Sequence, residues 1–120
     1  MNAYYDFQPE KLEKIVNNKY FYRWGIEQIT VEREEGEEPA TQYKCNEIVF
    51  YGQPDSDTIL KTAIESIWTN EDEKKLINDY NSAKEGLLDE SYIQKYLDFL
   101  NIRAEIKSIV DSDCAELGIN

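Results

Sequence analysis

Carboxylates are the most abundant side chains of this protein that could take part in chemistry. The 120 residues include 25 Asp and Glu, two Cys and no His. Without histidine the chain lacks the commonest general base and the base of Ser–His and Cys–His nucleophile systems. Catalysis by carboxylates needs two acids in one cleft with separated pKa values, which a sequence does not show. We therefore expect a protein that is not an enzyme, with a carboxylate enzyme as a second alternative.

The close pairs of aspartates have structural explanations. Asp55 and Asp57 stand at a predicted helix start, where capping accounts for them, and their segment lacks the glycine and the final glutamate of a calcium loop. Asp111 and Asp113 lie two positions apart on a predicted helix, so their side chains point to different sides, and we expect them to be capping or solvated residues and not metal ligands. Motifs that cradle phosphates or present a nucleophilic serine are missing. The sequence predicts no metal and no other cofactor.

The two cysteines indicate a reducing compartment. Cys45 and Cys114 fall in different predicted elements and form no C-x-x-C pair, so we expect two free buried thiols. The first residues, MNAYYDFQPEKLEK, contain no apolar signal region, and no run of about 18 apolar residues follows. We expect a cytoplasmic protein.

The net charge excludes some partners. Thirteen Lys and Arg against 25 Asp and Glu give −12, which repels nucleic-acid backbones and anionic membranes. We expect no direct nucleic-acid binding and no membrane association. The one dense acidic patch is favoured as a solvated loop, and the alternative is a mimic that blocks a partner's basic groove. It consists of Glu32, Glu34, Glu35, Glu37 and Glu38.

The elements that must position these residues begin with a hairpin. Alternating apolar residues predict a strand over 19–33 and another over 42–52, joined by the loop EEGEEPAT. The apolar phase changes within the first strand, which predicts a bulge near Gly25 to Gln28. The segment 9–16 is interpreted as a short helix or turn. Residues 3–7 are a candidate third strand, because a lone hairpin is marginal in water.

Three helices follow the hairpin. The first has its N-cap at Asp55, Ser56 or Asp57, and the second begins at Thr69 or Asn70 and breaks near Gly86. The third runs from about Ser91 to Leu117 and ends at Gly118. At 1.5 Å per residue that helix spans about 40 Å, longer than the diameter of a compact domain of this size. Its apolar arc is also wider than one packing partner would cover.

Two groups of aromatic residues are candidates for partner binding, since Tyr and Trp are enriched at binding hot spots. A strand with aromatics on both faces either lies inside a sheet–helix sandwich, which we favour, or presents them to a partner. For the long helix the alternatives are a central packing role and an oligomer or partner surface. The hypothesised contact residues are Tyr20, Tyr22, Trp24, Tyr92, Tyr96 and Phe99.

The chain resembles small, acidic, mostly uncharacterised proteins from phage, prophage and mobile-element regions of gut anaerobes. The resemblance is carried by KYFYRWGIEQITVERE, QYKCNEIVFYG and LLDESYIQKYLDFLNIRAEIKSIVDSDCAEL. It implies a genomic setting in which small proteins without enzymatic activity are virion components, assembly factors or inhibitors of host defence. In that setting the compartment is the host cytoplasm or the virion.

The sequence thus predicts one α+β domain over residues 1–120, with an aromatic hairpin part (1–52) and a helical part (53–120). We expect an antiparallel hairpin, two-stranded or three-stranded, packed against three helices, the C-terminal one long. The functional hypothesis is a protein-interaction role, through a protein partner or self-association, as a phage structural or accessory component. An acidic inhibitor is the alternative.

Overall fold

The fold combines a four-stranded antiparallel sheet with three helices, which confirms the α+β prediction. The computed structural model describes residues 2–120. The sheet order is β1-β4-β3-β2, so the long hairpin of β3 and β4 forms its centre. The elements are β1 (Asn2–Tyr5), β2 (Leu12–Val16), β3 (Lys19–Val31), β4 (Ala40–Tyr51), α1 (Ser56–Glu65), α2 (Asn70–Lys84) and α3 (Ser91–Leu117).

The prediction of a helix or turn over 9–16 is wrong, because residues 12–16 form the edge strand β2. Leu12 lies opposite Tyr22 in the β2–β3 ladder and packs against the core. The turn into β3 contains Asn18, whose φ of 60° is one that asparagine tolerates better than most residues. Pairing with the free edge of β3 therefore prevailed over the helical spacing of the apolar residues. The asparagine pair before Lys19 was the overlooked turn signal.

The predicted bulge is present in β3 and sets the apolar phase of the strand. The β3–β4 register shifts between Trp24 and Glu27. Gly25 adopts φ 63°, a left-handed conformation in which a side chain is disfavoured. A Cβ atom at this position would come within 3.1 Å of Asn46 Nδ2. The bulge thus places Ile29 and Val31 on the same face of the sheet as Tyr22 and Trp24.

The core lies between one face of the sheet, here called the inner face, and two of the helices. The strands contribute aromatic and aliphatic residues to the core. From α1 come residues spaced four or five positions apart, which lie on one side of the helix, and from α3 only residues of its C-terminal half. The buried members are Tyr22, Trp24, Ile48, Phe50, Ile59, Ala63, Ile64, Ile106, Val110 and Cys114. The outer face of the sheet carries no helix in this core.

The helix ends follow the capping signals of the sequence. The Asp55 side chain accepts a hydrogen bond from Thr58 N–H (2.8 Å) at the start of α1. Thr69 and Asp72 form a reciprocal capping box at the start of α2, and α3 ends at Gly118, which has φ 72°. At the start of α3, Asp89 accepts from Ser91 N–H at 2.9 Å. No helix within residues 2–120 combines the length and apolar character needed to cross a membrane.

The molecule is flat and extended. It measures 57 × 44 × 21 Å, and its radius of gyration of 18.3 Å exceeds the roughly 14 Å of a compact domain of this length. Two features account for this. The N-terminal half of α3 extends past the sheet together with α2. Beyond the bulge the hairpin continues as a two-stranded arm, residues 29–42, past the ends of β1 and β2.

Replacing the bulge glycine tests this account of the sheet. We expect Gly25→Ala to destabilise the protein by about 1–2 kcal/mol, because left-handed backbone and crowding against Asn46 add together. Gly118→Ala is the control, since Gly118 has a similar φ of 72° but nothing within 4 Å of its Cβ position. Urea unfolding of both variants measures the difference. Equal losses in the two variants would contradict the proposed crowding at the bulge.

Candidate protein-interaction surfaces

Of the three β3 aromatic residues hypothesised to bind a partner, Tyr22 and Trp24 belong to the core and Tyr20 packs against it. Tyr22 is fully buried and Trp24 is 6% exposed, and their rings stack at 5.6 Å. Tyr20 is half-buried and stacks on Phe50 at 5.4 Å. The hypothesis that these three side chains bind a partner is thus wrong for Tyr22 and Trp24, because α1 and α3 cover the face of the sheet on which they lie.

On the outer face, Arg23 is buried without any helix above it, with only 1% of its surface exposed. Its guanidinium contacts Glu47 on β4 (2.7 Å) and Glu13 on β2 (2.8 Å). It also donates to Tyr5 Oη on β1 (2.9 Å) and to the carbonyl of Glu10 (3.1 Å). The connection between β1 and β2 therefore crosses the outer face of the sheet over this side chain. Desolvation lowers the pKa of Arg23, but the hydrogen bonds to Glu47, Tyr5 and Glu13 outweigh it, and the pKa is raised.

A second polar network joins the sheet to α3 within the core. The hydroxyl of Tyr22 donates to Asp113 Oδ2 (2.7 Å), and Lys11 Nζ contacts Asp113 Oδ1 (3.0 Å) and Glu116 Oε2 (2.7 Å). Burial, then the bond to Asp113, raises the pKa of the Tyr22 hydroxyl, so it stays protonated. The bond to Glu116, then that to Asp113, raises the pKa of Lys11. Asp113, expected as a capping or solvated residue, is thus buried and structural.

These two networks bear on the hypothesis of a carboxylate enzyme. It requires two acids that face each other in a deep pocket. Glu13 and Glu47 both contact Arg23, and Asp113 and Glu116 both contact Lys11. A cation lies between the members of each pair, so we do not propose a carboxylate mechanism. Within residues 2–120 no cluster of three or more potential metal ligands occurs.

The two cysteines are free and buried, as predicted. Cys114 belongs to the core of the inner face, whereas Cys45 shares the outer face of β4 with Glu47. Burial raises the pKa of both thiols, which reduces their reactivity. The thiols are therefore separated by the sheet.

The aromatic residues of α3 lie at its junction with α2. Tyr96 packs on Tyr80 with ring centroids 4.6 Å apart, and Phe99 meets the edge of Trp68 at 4.7 Å. Phe99 is 7% exposed, whereas Tyr92 and Tyr96 are half-buried. Hence Phe99 is mainly structural, while the two tyrosines reach the surface.

Beside this junction lies an apolar surface, which we call the α2–α3 face: Ile77, Tyr96, Leu97 and Leu100. Ile77, Leu97 and Leu100 are each exposed by 40–43%. A cavity of about 250 Å³ between the helices is lined by Ile77, Tyr96, Phe99 and Leu100, and by the charged side chains of Glu73 and Arg103. Leu97 precedes Leu100 by three positions on α3, so the two share one side of the helix. Sequence reasoning located Tyr96 but missed the aliphatic members, although their helical spacing was visible.

A cleft on the opposite side of the α2–α3 junction surrounds Tyr92. Its volume is about 270 Å³, and Trp68 and Leu76 form its apolar wall. The Tyr92 ring lies beneath two ammonium groups, Lys95 Nζ at 4.5 Å and Lys75 Nζ at 5.8 Å from its centroid. Tyr92 therefore makes its cation–π contacts within the chain.

The acidic patch lies at the tip of the hairpin arm. All five glutamates are exposed in the segment between Val31 and Ala40. The only basic residue among them is Arg33, which is also exposed. The patch therefore lies beyond the last paired residues of the hairpin and outside the core.

A groove that sequence reasoning missed runs between β4 and α1. It encloses about 680 Å³, and its walls come from the end of the strand and from one side of the helix. The lining residues are Glu47, Ile48, Val49, Thr62, Glu65 and Ser66. One signal in the sequence could have indicated it. The predicted strand over 42–52 is longer than the N-terminal segment that could pair with it, so part of its edge had to stay unpaired.

Comparisons with known proteins give no relative. No protein-family model matches the chain, and neither a curated protein nor a solved structure matches it.

The network around Arg23 gives a test of what holds the sheet together. We expect Arg23→Met to cost about 3–5 kcal/mol, because it leaves the carboxylate of Glu47 without its cation. Adding Glu47→Gln should restore part of that loss. Lys107→Met, which breaks an exposed pair with Asp111, is the control and should cost less than about 1 kcal/mol. Urea unfolding is the measurement, and a cost for Arg23→Met no larger than the control would contradict the assignment.

Proposed function

We propose that this protein is a non-enzymatic protein-interaction module and that the α2–α3 face is its main contact surface. The observation that carries the proposal is the group of exposed apolar side chains Ile77, Leu97 and Leu100 beside the half-buried Tyr96, on helices that extend past the sheet. Exposed apolar side chains that adjoin one another are typical of sites that bind proteins. A structural or accessory role in a phage is the setting that the resemblance implies, and it is part of this proposal.

Several features support this surface over the rest of the molecule. Among residues 2–120, fifteen large apolar side chains are exposed, against thirteen buried apolar residues, so the fold leaves much apolar area uncovered. Of these, the members of the α2–α3 face adjoin Tyr96, an aromatic residue of the kind enriched at hot spots. The half-buried ring is held by Tyr80 and Phe99, so little side-chain entropy would be lost when a partner binds.

Site-specific crosslinking tests this proposal. A photoreactive phenylalanine analogue at position 97 should give a covalent adduct in the producing cells, because Leu97 lies on the proposed contact surface. The same analogue at position 105, an exposed position on α3 outside this surface, is the control and should give none. Adducts are detected by denaturing electrophoresis and identified by mass spectrometry.

Light scattering at micromolar concentrations completes this test. A dimer that is lost in Leu100→Asp would identify the partner as a second copy of the chain. A strict monomer that also forms no adduct through position 97 would overturn the proposal.

The acidic patch favours a second candidate function, an inhibitor that occupies a partner's basic groove. Five exposed glutamates at the end of a narrow two-stranded arm could enter a groove that a flat surface could not. In that case binding would weaken steeply with added salt, and replacing Glu34, Glu35, Glu37 and Glu38 by glutamine would abolish it. Binding that is insensitive to salt would exclude this candidate.

A further inference from the structure

The groove between β4 and α1 lies apart from the α2–α3 face and carries an inference of its own. β1 pairs with β4 only from Tyr43 to Asn46. Beyond Asn46 the strand continues to Tyr51, and α1 runs beside it at the groove. A strand edge with a helix wall alongside is the arrangement in which an extended segment can add to a sheet.

The register shows which main-chain groups of β4 face this groove. At the end of the β3–β4 ladder, Gly52 N–H donates to Asn18 O at 2.8 Å. Hydrogen-bonded and non-hydrogen-bonded pairs alternate along antiparallel strands. Phe50 and Ile48 therefore direct their N–H and C=O groups to β3, whereas Val49 and Tyr51 direct theirs away from it. On that side no strand within residues 2–120 pairs with Val49 or Tyr51.

The side chains around this edge differ on its two sides. On the outer side Val49 and Tyr51 are 36% and 68% exposed and offer apolar area. On the side of α1 the groove is lined by Thr62, Glu65 and Ser66, which are polar or acidic. Glu65 forms no ion pair with any residue the structure describes. Because successive residues of a strand point to opposite sides, an added strand would meet these two environments alternately.

We propose that the β4–α1 groove binds an extended segment of a partner protein, which adds to the sheet as a strand beside Val49 and Tyr51. Its alternate residues are apolar, packing on Val49 and Tyr51, and basic, directed to Glu65. Main-chain hydrogen bonds supply affinity that does not depend on sequence, and the alternation supplies specificity.

Charge favours a basic partner segment over a second copy of this chain. Each copy carries a net charge of −12, which opposes the approach of two identical edges. Acidic residues beside an open edge also hinder pairing between copies. The proposal is independent of the α2–α3 face, so either one survives the failure of the other.

Hydrogen exchange of the protein alone tests the geometry of the edge. We expect the amides of Val49 and Tyr51 to exchange at least about tenfold faster than those of Ile48 and Phe50, because only the latter are hydrogen-bonded to β3. NMR resolves the four amides. Equal protection of the Val49 and Ile48 amides would show that the edge of β4 is already paired in the protein alone. That result would overturn the proposal, whether the edge is paired with a second copy or with another part of the chain.

A designed peptide tests binding. The probe is a capped seven-residue peptide of alternating lysine and valine, titrated into the protein and followed by the same amides. We expect it to slow exchange at Val49 and Tyr51. The control peptide has the same sequence but is N-methylated at the alternate residues whose N–H groups would face β4. It keeps the charge but should bind at least about fivefold more weakly, because it lacks these hydrogen-bond donors. Equal affinities of the two peptides would overturn the proposal.

Variants of the protein separate groove binding from general attraction of a basic peptide. Val49→Pro removes the outward N–H without removing a bond to β3 and should weaken binding at least about fivefold, whereas Val49→Ile keeps both the N–H and an apolar β-branched side chain and should bind as the parent does. Glu65→Lys should weaken binding more than Glu105→Lys, which makes the same charge change on exposed α3. Equal effects of the two lysine variants would overturn the proposal. If Val49→Pro fails to fold, the N-methylated peptide tests the same bonds.

Discussion

The buried guanidinium of Arg23 is the interaction on which the sheet depends. It lies on the face that has no helix, yet only 1% of its surface reaches solvent, because the β1–β2 connection crosses above it. Through Tyr5, Glu13 and Glu47 it contacts all three other strands. Burying a cation costs free energy unless its charge and its hydrogen-bond donors are satisfied. Burial of Arg23 therefore depends on both edge strands, β1 and β2, which supply part of its partners. The outer face can therefore remain without a helix.

This arrangement leaves the helices to a single face. Tyr22 and Val110 meet there, and the bond from Tyr22 to Asp113 fixes the C-terminal half of α3 against the sheet. The other half of α3 has no sheet beneath it and packs on α2 through aromatic pairs such as Tyr80 and Tyr96. A chain of 120 residues arranged in this way is broad and thin, and it exposes more apolar surface than a spherical domain would. Both proposed contact surfaces are consequences of that shape.

Much of the fold could be predicted because it depends on local patterns. The hairpin, the bulge at Gly25, the cap at Asp55 and the end of α3 at Gly118 each have a signal within a few residues. The strand over 12–16 could not be predicted, because its apolar residues have helical spacing and it forms a strand only by pairing with β3. Of the hypothesised contact residues, Tyr96 reaches an apolar surface, whereas Tyr22 and Trp24 lie in the core. Alternation along a strand does not show which face the helices will cover.

The sequence by itself determined the class of fold, the long third helix, the two free thiols and the surface charge, since composition and short-range periodicity carry these properties. Only the tertiary structure decided what covers each face. It buried Arg23 beneath a crossing segment, placed Asp113 against Tyr22, and left the edge of β4 open beside α1. These outcomes depend on contacts between residues far apart in the chain. The free energy of such a contact depends on both partners and on the water excluded around them, which no local pattern contains.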